Sequence, residues 1–183
     1  MNNKKGMILI ALLLVVILIG AGILYSRLGS GLQPQTELQE AEGPLAPNFT
    51  VYDREGQAVE LSAFVGKPIV LNFWASWCGP CKMEMPDFNR AYLEYGDEVH
   101  FLMVNCTDGS RETVETASAF VQEQGYSFPV YFDSDGMAAY AYSAYALPTT
   151  YFINEAGIVV TKSIGAIPGD TLELGIEMIR NET

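Results

Sequence analysis

Histidine occurs once in the 183 residues, at His100, and cysteine three times, at Cys78, Cys81 and Cys106. That scarcity bears first on metals. A zinc centre takes about four ligands, and these four side chains are the whole nitrogen and thiolate supply. His100 and Cys106 lie on one predicted strand, roughly 20 Å apart along it, so one ion does not reach both. Only a set completed by carboxylates stays open. Haem attachment would need histidine directly after the second cysteine of the close pair, where Lys82 stands. Basic residues are also few. Ten Lys and Arg face 22 Asp and Glu, a formal net charge of −12. Such a balance argues against nucleic acid as a partner, because a phosphate backbone is held by Lys and Arg. Internal repeats are absent as well.

Charge of either sign is missing from Gly6 to Ser26. The run Met7 to Leu24, MILIALLLVVILIGAGIL, would make about 27 Å of helix, close to the hydrocarbon thickness of a bilayer. Lys4 and Lys5 precede it and only Arg27 follows closely, so the lysines are expected in the cytoplasm and the rest of the chain outside. A cleaved signal peptide has a shorter apolar region and a small-x-small end; here Ala21 and Gly22 run straight into Ile23, Leu24 and Tyr25. No cysteine follows that could carry a lipoprotein lipid. The expectation is an uncleaved single-pass anchor in residues 1–28. A solvated linker rich in Gly, Pro, Gln and Glu should follow in 29–45, with an extracytoplasmic domain in 46–183.

With 49% hydrophobic residues the domain can bury a sizeable core. Two short runs around Asp53-Arg54-Glu55-Gly56 predict a hairpin, and SAFVGK a brief helical turn. PIVLNFW (Pro68 to Trp74) and VHFLMVN (Val99 to Asn105) read as strands buried on both faces. Between them a helix should run from about Cys78 to Tyr95, burying Phe88, Ala91, Tyr92 and Tyr95, interrupted and kinked at Pro86 and stopped by Gly96. A second helix, capped by Asp108 or Ser110, should turn Val114, Ala117, Ser118 and Val121 inward and end at Gly125. FPVYF is a further short strand and GMAAYAYSAYA a helix. TTYFI and IVVTKSI make a hairpin, and DTLELGIEMIR a closing helix capped by Asp170 with Leu172, Ile176 and Ile179 inward. Strands alternating with helices indicate α/β layering around a mixed central sheet.

Within FWASWCGPCKMEMP (Phe73 to Pro86) two cysteines stand two residues apart at a strand-to-helix junction. As a structural staple the pair would be poor, since so short a loop restrains little chain entropy. As a redox pair it is well placed. Free N–H groups at the helix start favour a thiolate at Cys78, Pro80 is tolerated in the first turn, and Cys81, one turn deeper, can attack a mixed disulfide formed at Cys78.

APNF…LSAFVGKPIVLNFWASWCGPCKMEMP, FPVYFD and YALPTTYFINEAG together are similar to the membrane-anchored TlpA/ResA-like thiol-disulfide oxidoreductases of the thioredoxin superfamily, over roughly Ala46 to Arg180. The resemblance implies a thioredoxin fold with a mixed sheet flanked by helices and an N-terminal β-hairpin, preceded by one transmembrane helix. It makes Cys78 the attacking cysteine and Cys81 the resolving one. Pro148 becomes the cis-proline facing them, and Leu147 the residue whose backbone pairs with substrate. Trp77, Gly79 and Pro80 complete the substrate-binding surface. The redox group is the Cys78–Cys81 disulfide, with no other cofactor. The implied activity is reduction of disulfides in extracytoplasmic proteins, apocytochrome c before haem attachment among them, with a membrane protein relaying electrons from cytoplasmic thioredoxin. An extracellular methionine sulfoxide reductase and misoxidised secreted proteins are further candidate substrates. The chain departs from its relatives at two points. Asn72 stands where thioredoxin has a buried Asp, and Gly-Pro separates the cysteines where the family's cytochrome-maturation reductase has Glu-Pro.

Asn72 accepts no proton, so something else must take one from Cys81. Glu84, three residues on and on the same helical face, matches a glutamate thought to tune the thiols in this family. Burial would raise its pKa and suit it to general base work, whereas a solvated Glu84 would only complement the helix dipole. Asp108 falls where the family has another acidic residue. Cys106 is expected buried and His100 structural. Trp77 either walls the active site or packs on the sheet edge. Tyr140, Tyr142 and Tyr145 are expected to pack, the alternative being a substrate groove. A thiol peroxidase is the competing enzyme, but its signature threonine three residues before the cysteine is Ala75 here. A non-catalytic binding module would need neither thiol.

Overall fold

The computed structural model describes residues 43–181 and Leu18. The expected membrane span and most of the linker lie outside the described residues. Among the described residues no helix is long and apolar enough to cross a membrane. The strands are Thr50–Tyr52 (β1), Ala58–Glu60 (β2), Ile69–Trp74 (β3), His100–Asn105 (β4), Val130–Phe132 (β5), Thr149–Ile153 (β6) and Val159–Ile164 (β7). The helices are Gly79–Tyr95 (α1), Val114–Gln124 (α2), Met137–Ala141 (α3) and Gly169–Asn181 (α4).

Every residue of β3 is buried, which demands cover on both sheet faces. β3 pairs in parallel with β4 and antiparallel with β6, and the whole sheet runs β2-β1-β5-β4-β3-β6-β7. Alternation along each strand sorts the core. Val70 and Trp74 of β3, with Phe101 and Met103 of β4, face Met85 and Phe88 of α1, Ala117 and Val121 of α2, and Leu172, Ile176 and Ile179 of α4. Ile69, Leu71 and Phe73, with Leu102 and Val104, meet Phe49, Leu61, Ala138 and Tyr142 on the other face. The mixed sheet, the N-terminal hairpin and the closing hairpin agree with the thioredoxin layout.

Several local expectations need correction. α1 runs unbroken through Pro86. Pro86 and Lys82 are both exposed, so the Lys82 carbonyl that loses its helical partner can bond to water. Gly96 stops α1 in a right-handed conformation, and its role is spatial: a Cβ there would lie 2.6 Å from the Tyr92 carbonyl oxygen. The α2 cap is Thr113, which exchanges hydrogen bonds with Thr116, rather than Asp108 or Ser110. α3 has five residues, because Ser143 takes a left-handed φ of 52° and ends the helical path. Asp170 lies inside the first turn of α4 rather than at its cap; it accepts the Thr171 N–H and places a negative charge at the positive end of the helix.

Candidate active site

The β3 chain leaves the sheet at Trp74, turns through three residues and enters α1. Cys78 is the N-cap, and its Sγ accepts the Cys81 N–H at 3.2 Å. A thiolate at that atom would meet the open N–H groups and the positive end of a 17-residue helix. Cys78 and Cys81 are joined as a disulfide with Cα atoms 5.3 Å apart. Cys81 is wholly buried, while Cys78 keeps 4% of its surface. Trp77, Gly79 and Pro80 around it are exposed.

Cys78 opens onto a groove of about 530 Å³. One wall is Trp77 to Pro80, the second Cys106 and Arg111, the third Ala139, Ala144, Tyr145 and Leu147. Cys81 does not line it, so a substrate disulfide in the groove meets Cys78 first. The Leu147–Pro148 peptide is cis. Leu147 reaches the groove, whereas Pro148 is buried and is not part of its lining. Trp77 is a wall of the groove, with the Arg111 guanidinium 3.7 Å above its ring. The three tyrosines divide. Tyr142 is core, edge-on to Phe49 and Tyr151; Tyr145 lines the groove; Tyr140 is exposed outside it. His100 meets Phe64 edge-on in the fold and stands apart from the site.

Cys106 is half-buried rather than buried, and it faces the groove. Burial pushes its thiol up to about 12, with Asp133 and Glu112 adding to the effect. It therefore stays protonated and a weak nucleophile.

Glu84 is 2% exposed and lies between β3 and the chain leading into α4. Asn72 Nδ2 donates to Oε1 at 2.8 Å, and the Ile167 N–H donates to Oε2 at 3.0 Å. Desolvation outweighs both bonds and raises its pKa to about 7. Asn72 also donates to Thr150 Oγ1, and its own Oδ1 is buried without a partner. Turning the Asn72 amide over exchanges Oδ1 and Nδ2. Asn72 can thus face either protonation state of Glu84, as donor or as acceptor.

Asp108 does not share this character. It is exposed, and the N–H groups of Glu112, Ser110 and Arg111 hold its carboxyl down at about 2, so it organises its own loop and takes no proton near neutral pH. The carboxylate of that loop which reaches the site is Glu112, which the sequence reading missed. It is fully buried. Its oxygens accept the Ser76 N–H at 2.7 Å, the Ser76 hydroxyl at 2.6 Å and Asn105 Nδ2 at 2.5 Å. It braces the turn two residues ahead of Cys78. The parallel pairing of β3 with β4 was the available signal, since it puts the segment after β4 beside the cysteines.

Residues 43–162 match the AhpC/TSA family. Over 170 residues the chain is 35% identical to the thiol-disulfide oxidoreductase ResA of Bacillus thuringiensis subsp. konkukian, covering 93% of this chain and 95% of that one. The chain belongs to the ResA-like thiol-disulfide oxidoreductases. Among solved structures, a Chlorobium tepidum protein assigned as thiol:disulfide interchange protein DsbE is 31% identical with a TM-score of 0.67, over 75% of this chain and 96% of that one. StoA from Bacillus subtilis is 29% identical with a TM-score of 0.62, over 72% and 98%. The chain thus carries the Cys78–Cys81 disulfide on a thioredoxin-like α/β fold.

Proposed function

We propose that this oxidoreductase is tethered to the membrane and reduces disulfides in extracytoplasmic proteins. The supporting observation is the unequal setting of its two sulfurs, Cys78 at the groove and Cys81 a turn behind it. The Cys78 thiolate attacks one substrate sulfur, the substrate disulfide breaks, and the leaving sulfur takes up a proton. Cys81 passes its proton to Glu84 and attacks Cys78 Sγ. The mixed disulfide breaks, the second substrate sulfur leaves as a thiol after protonation, and the enzyme is left as the Cys78–Cys81 disulfide. Two electrons from a membrane donor restore the dithiol.

The uncharged run from Gly6 to Ser26 behind Lys4 and Lys5 supports the tether, and the 170-residue match to ResA extends into that N-terminal segment. Apocytochrome c and a methionine sulfoxide reductase are the substrates first to be tried. Ala75, where a thiol peroxidase would carry threonine, is an apolar side chain with no surface exposed and has no hydroxyl to offer a peroxide.

The reduction potential tests the direction. A value near thioredoxin's, about −270 mV, fits a reductase, and one near −120 mV would make the protein an oxidant. Insulin reduction beside peroxide consumption separates reductase, peroxidase and binding module. A membrane-impermeant thiol reagent should label the reduced protein in intact cells; labelling only after lysis would refute the topology.

A further inference from the structure

The groove beside Cys78 is apolar along most of its length. Trp77, Leu147, Tyr145 and two alanines form its walls, and Arg111 is the one charged side chain among the residues that line it. Among the described residues the ion pairs are Arg90–Asp87 and Arg180–Glu98, and Arg111 belongs to neither. Its guanidinium lies over the Trp77 ring with 3.7 Å between the central carbon and the ring centre. Stacking of this kind holds the plane of the guanidinium and leaves the N–H donors on its rim free for an acceptor. The loop beneath it is anchored as well. The next residue, Glu112, is buried and bonded to Ser76, the residue before Trp77. Arg111 and Trp77 are thus held through the Glu112–Ser76 bonds of their neighbours and by their own contact, which fixes a cation in the groove onto which Cys78 opens.

We infer that Arg111 forms a carboxylate subsite at the mouth of the groove, so that the enzyme favours substrates carrying Asp or Glu next to the reducible cysteine. The inference rests on the reductase reading and adds a substrate class to it. The net charge of −12 opposes an acidic substrate at long range. That repulsion fades beyond a Debye length of about 8 Å at physiological salt, whereas a pair in contact is screened less. At about 0.15 M salt the contact decides. An exposed pair of this kind is worth about a two- to fivefold preference, and a bidentate geometry lies at the upper end of that range.

The test uses the full chain in mild detergent and two disulfide-bridged synthetic peptides identical except for Asp or Lys on both sides of each cysteine. The readout is the ratio of kcat/KM for the Asp peptide to that for the Lys peptide, at about 0.15 M salt. The natural enzyme should favour the Asp peptide about two- to fivefold, Arg111→Lys should keep the preference in part, and Arg111→Glu should reverse it. Arg111→Met, which keeps apolar cover over Trp77 without the charge, should bring the ratio down toward that of a site with no local cation. A ratio that stays the same in Arg111→Glu and Arg111→Met while both peptides are still reduced overturns the subsite and leaves the reductase standing. Failure of the natural enzyme, in its dithiol form, to reduce either peptide overturns both.

Discussion

Replacing Glu84 with glutamine should destabilise this protein in acid and stabilise it in alkali. The Glu84 carboxyl rises from 4.5 to about 7 on folding. The folded chain therefore holds this proton more tightly than the unfolded chain does. Stability from that proton is full below about pH 4.5 and is lost as pH rises through about 7. At about 1.36 kcal/mol per pH unit, the gap corresponds to about 3 kcal/mol. The amide introduced by Glu84→Gln does not titrate. Its single oxygen can serve the Ile167 N–H or the Asn72 amide but not both, and turning Asn72 over brings its unpaired Oδ1 to the new amide nitrogen. The exchange should cost about 1 kcal/mol at acid pH. The natural protein is then the more stable below about pH 5, and Glu84→Gln the more stable, by about 2 kcal/mol, above about pH 8, with the two curves crossing between. Urea unfolding of the oxidised full chain in mild detergent across this range measures both. The disulfide removes Cys78 and Cys81 from the titration. His100, whose pKa burial lowers, gives a slope of opposite sign that cancels between the two proteins. Parallel curves would show that Glu84 carries no displaced proton and would refute its assignment as the base. In single-turnover kinetics the same variant should slow resolution of the mixed disulfide and flatten its pH dependence. Asp108→Asn should leave resolution unchanged, since a carboxyl held near 2 is already ionised throughout.

Cys81→Ser should accumulate mixed disulfides with substrate, seen on non-reducing gels, and Cys78→Ser should not; the reverse pattern would exchange their roles. Glu112→Ala leaves the Ser76 N–H, the Ser76 hydroxyl and the Asn105 amide without their acceptor. It should lower unfolding stability by about 3 kcal/mol, and Glu112→Gln, which keeps one acceptor, by less. Gly175→Ala puts a Cβ 2.3 Å from the Phe152 ring. The gain in helix propensity of about 1 kcal/mol is outweighed by an overpacking penalty of about 1–3 kcal/mol, so the melting temperature should fall; a rise would mean the ring can retreat.

The parts of this fold legible in sequence are those set by burial. β3 and β4 are covered on both faces, and such strands must be continuous apolar runs. In α4 the inward residues Leu172, Ile176 and Ile179 repeat at helical spacing because one face alone meets the sheet. Helix ends were less legible, because several side chains near each end can cap. Asp108, Ser110 and Thr113 are all competent donors or acceptors before α2. Thr113 caps because Asp108 is already engaged by the N–H groups of its own loop. The five-residue α3 fails for a similar reason: its composition suits a helix, and a single left-handed residue at Ser143 redirects the chain so that Tyr142 enters the core and Tyr145 the groove.

The active site divides in the same way. Cys78, Cys81 and Glu84 share one helix, and helical spacing alone relates them. Cys106, Arg111 and Glu112 come from the segment after β4, with no local pattern linking them to the cysteines. What joins them is strand direction. β3 and β4 run parallel with Trp74 opposite Asn105, so the chain leaving β4 emerges beside the chain leaving β3, at the strand ends where sheets of this kind place their sites. From that position one short segment supplies a thiol held protonated, a cation stacked on the groove wall and a buried carboxylate that braces the turn before Cys78. The cysteine pair and Glu84 are carried on one helix. One wall of the groove and the brace of the turn before Cys78 come from a loop whose place is fixed by topology, so variation in that loop can reshape the groove while the cysteine motif stays as it is.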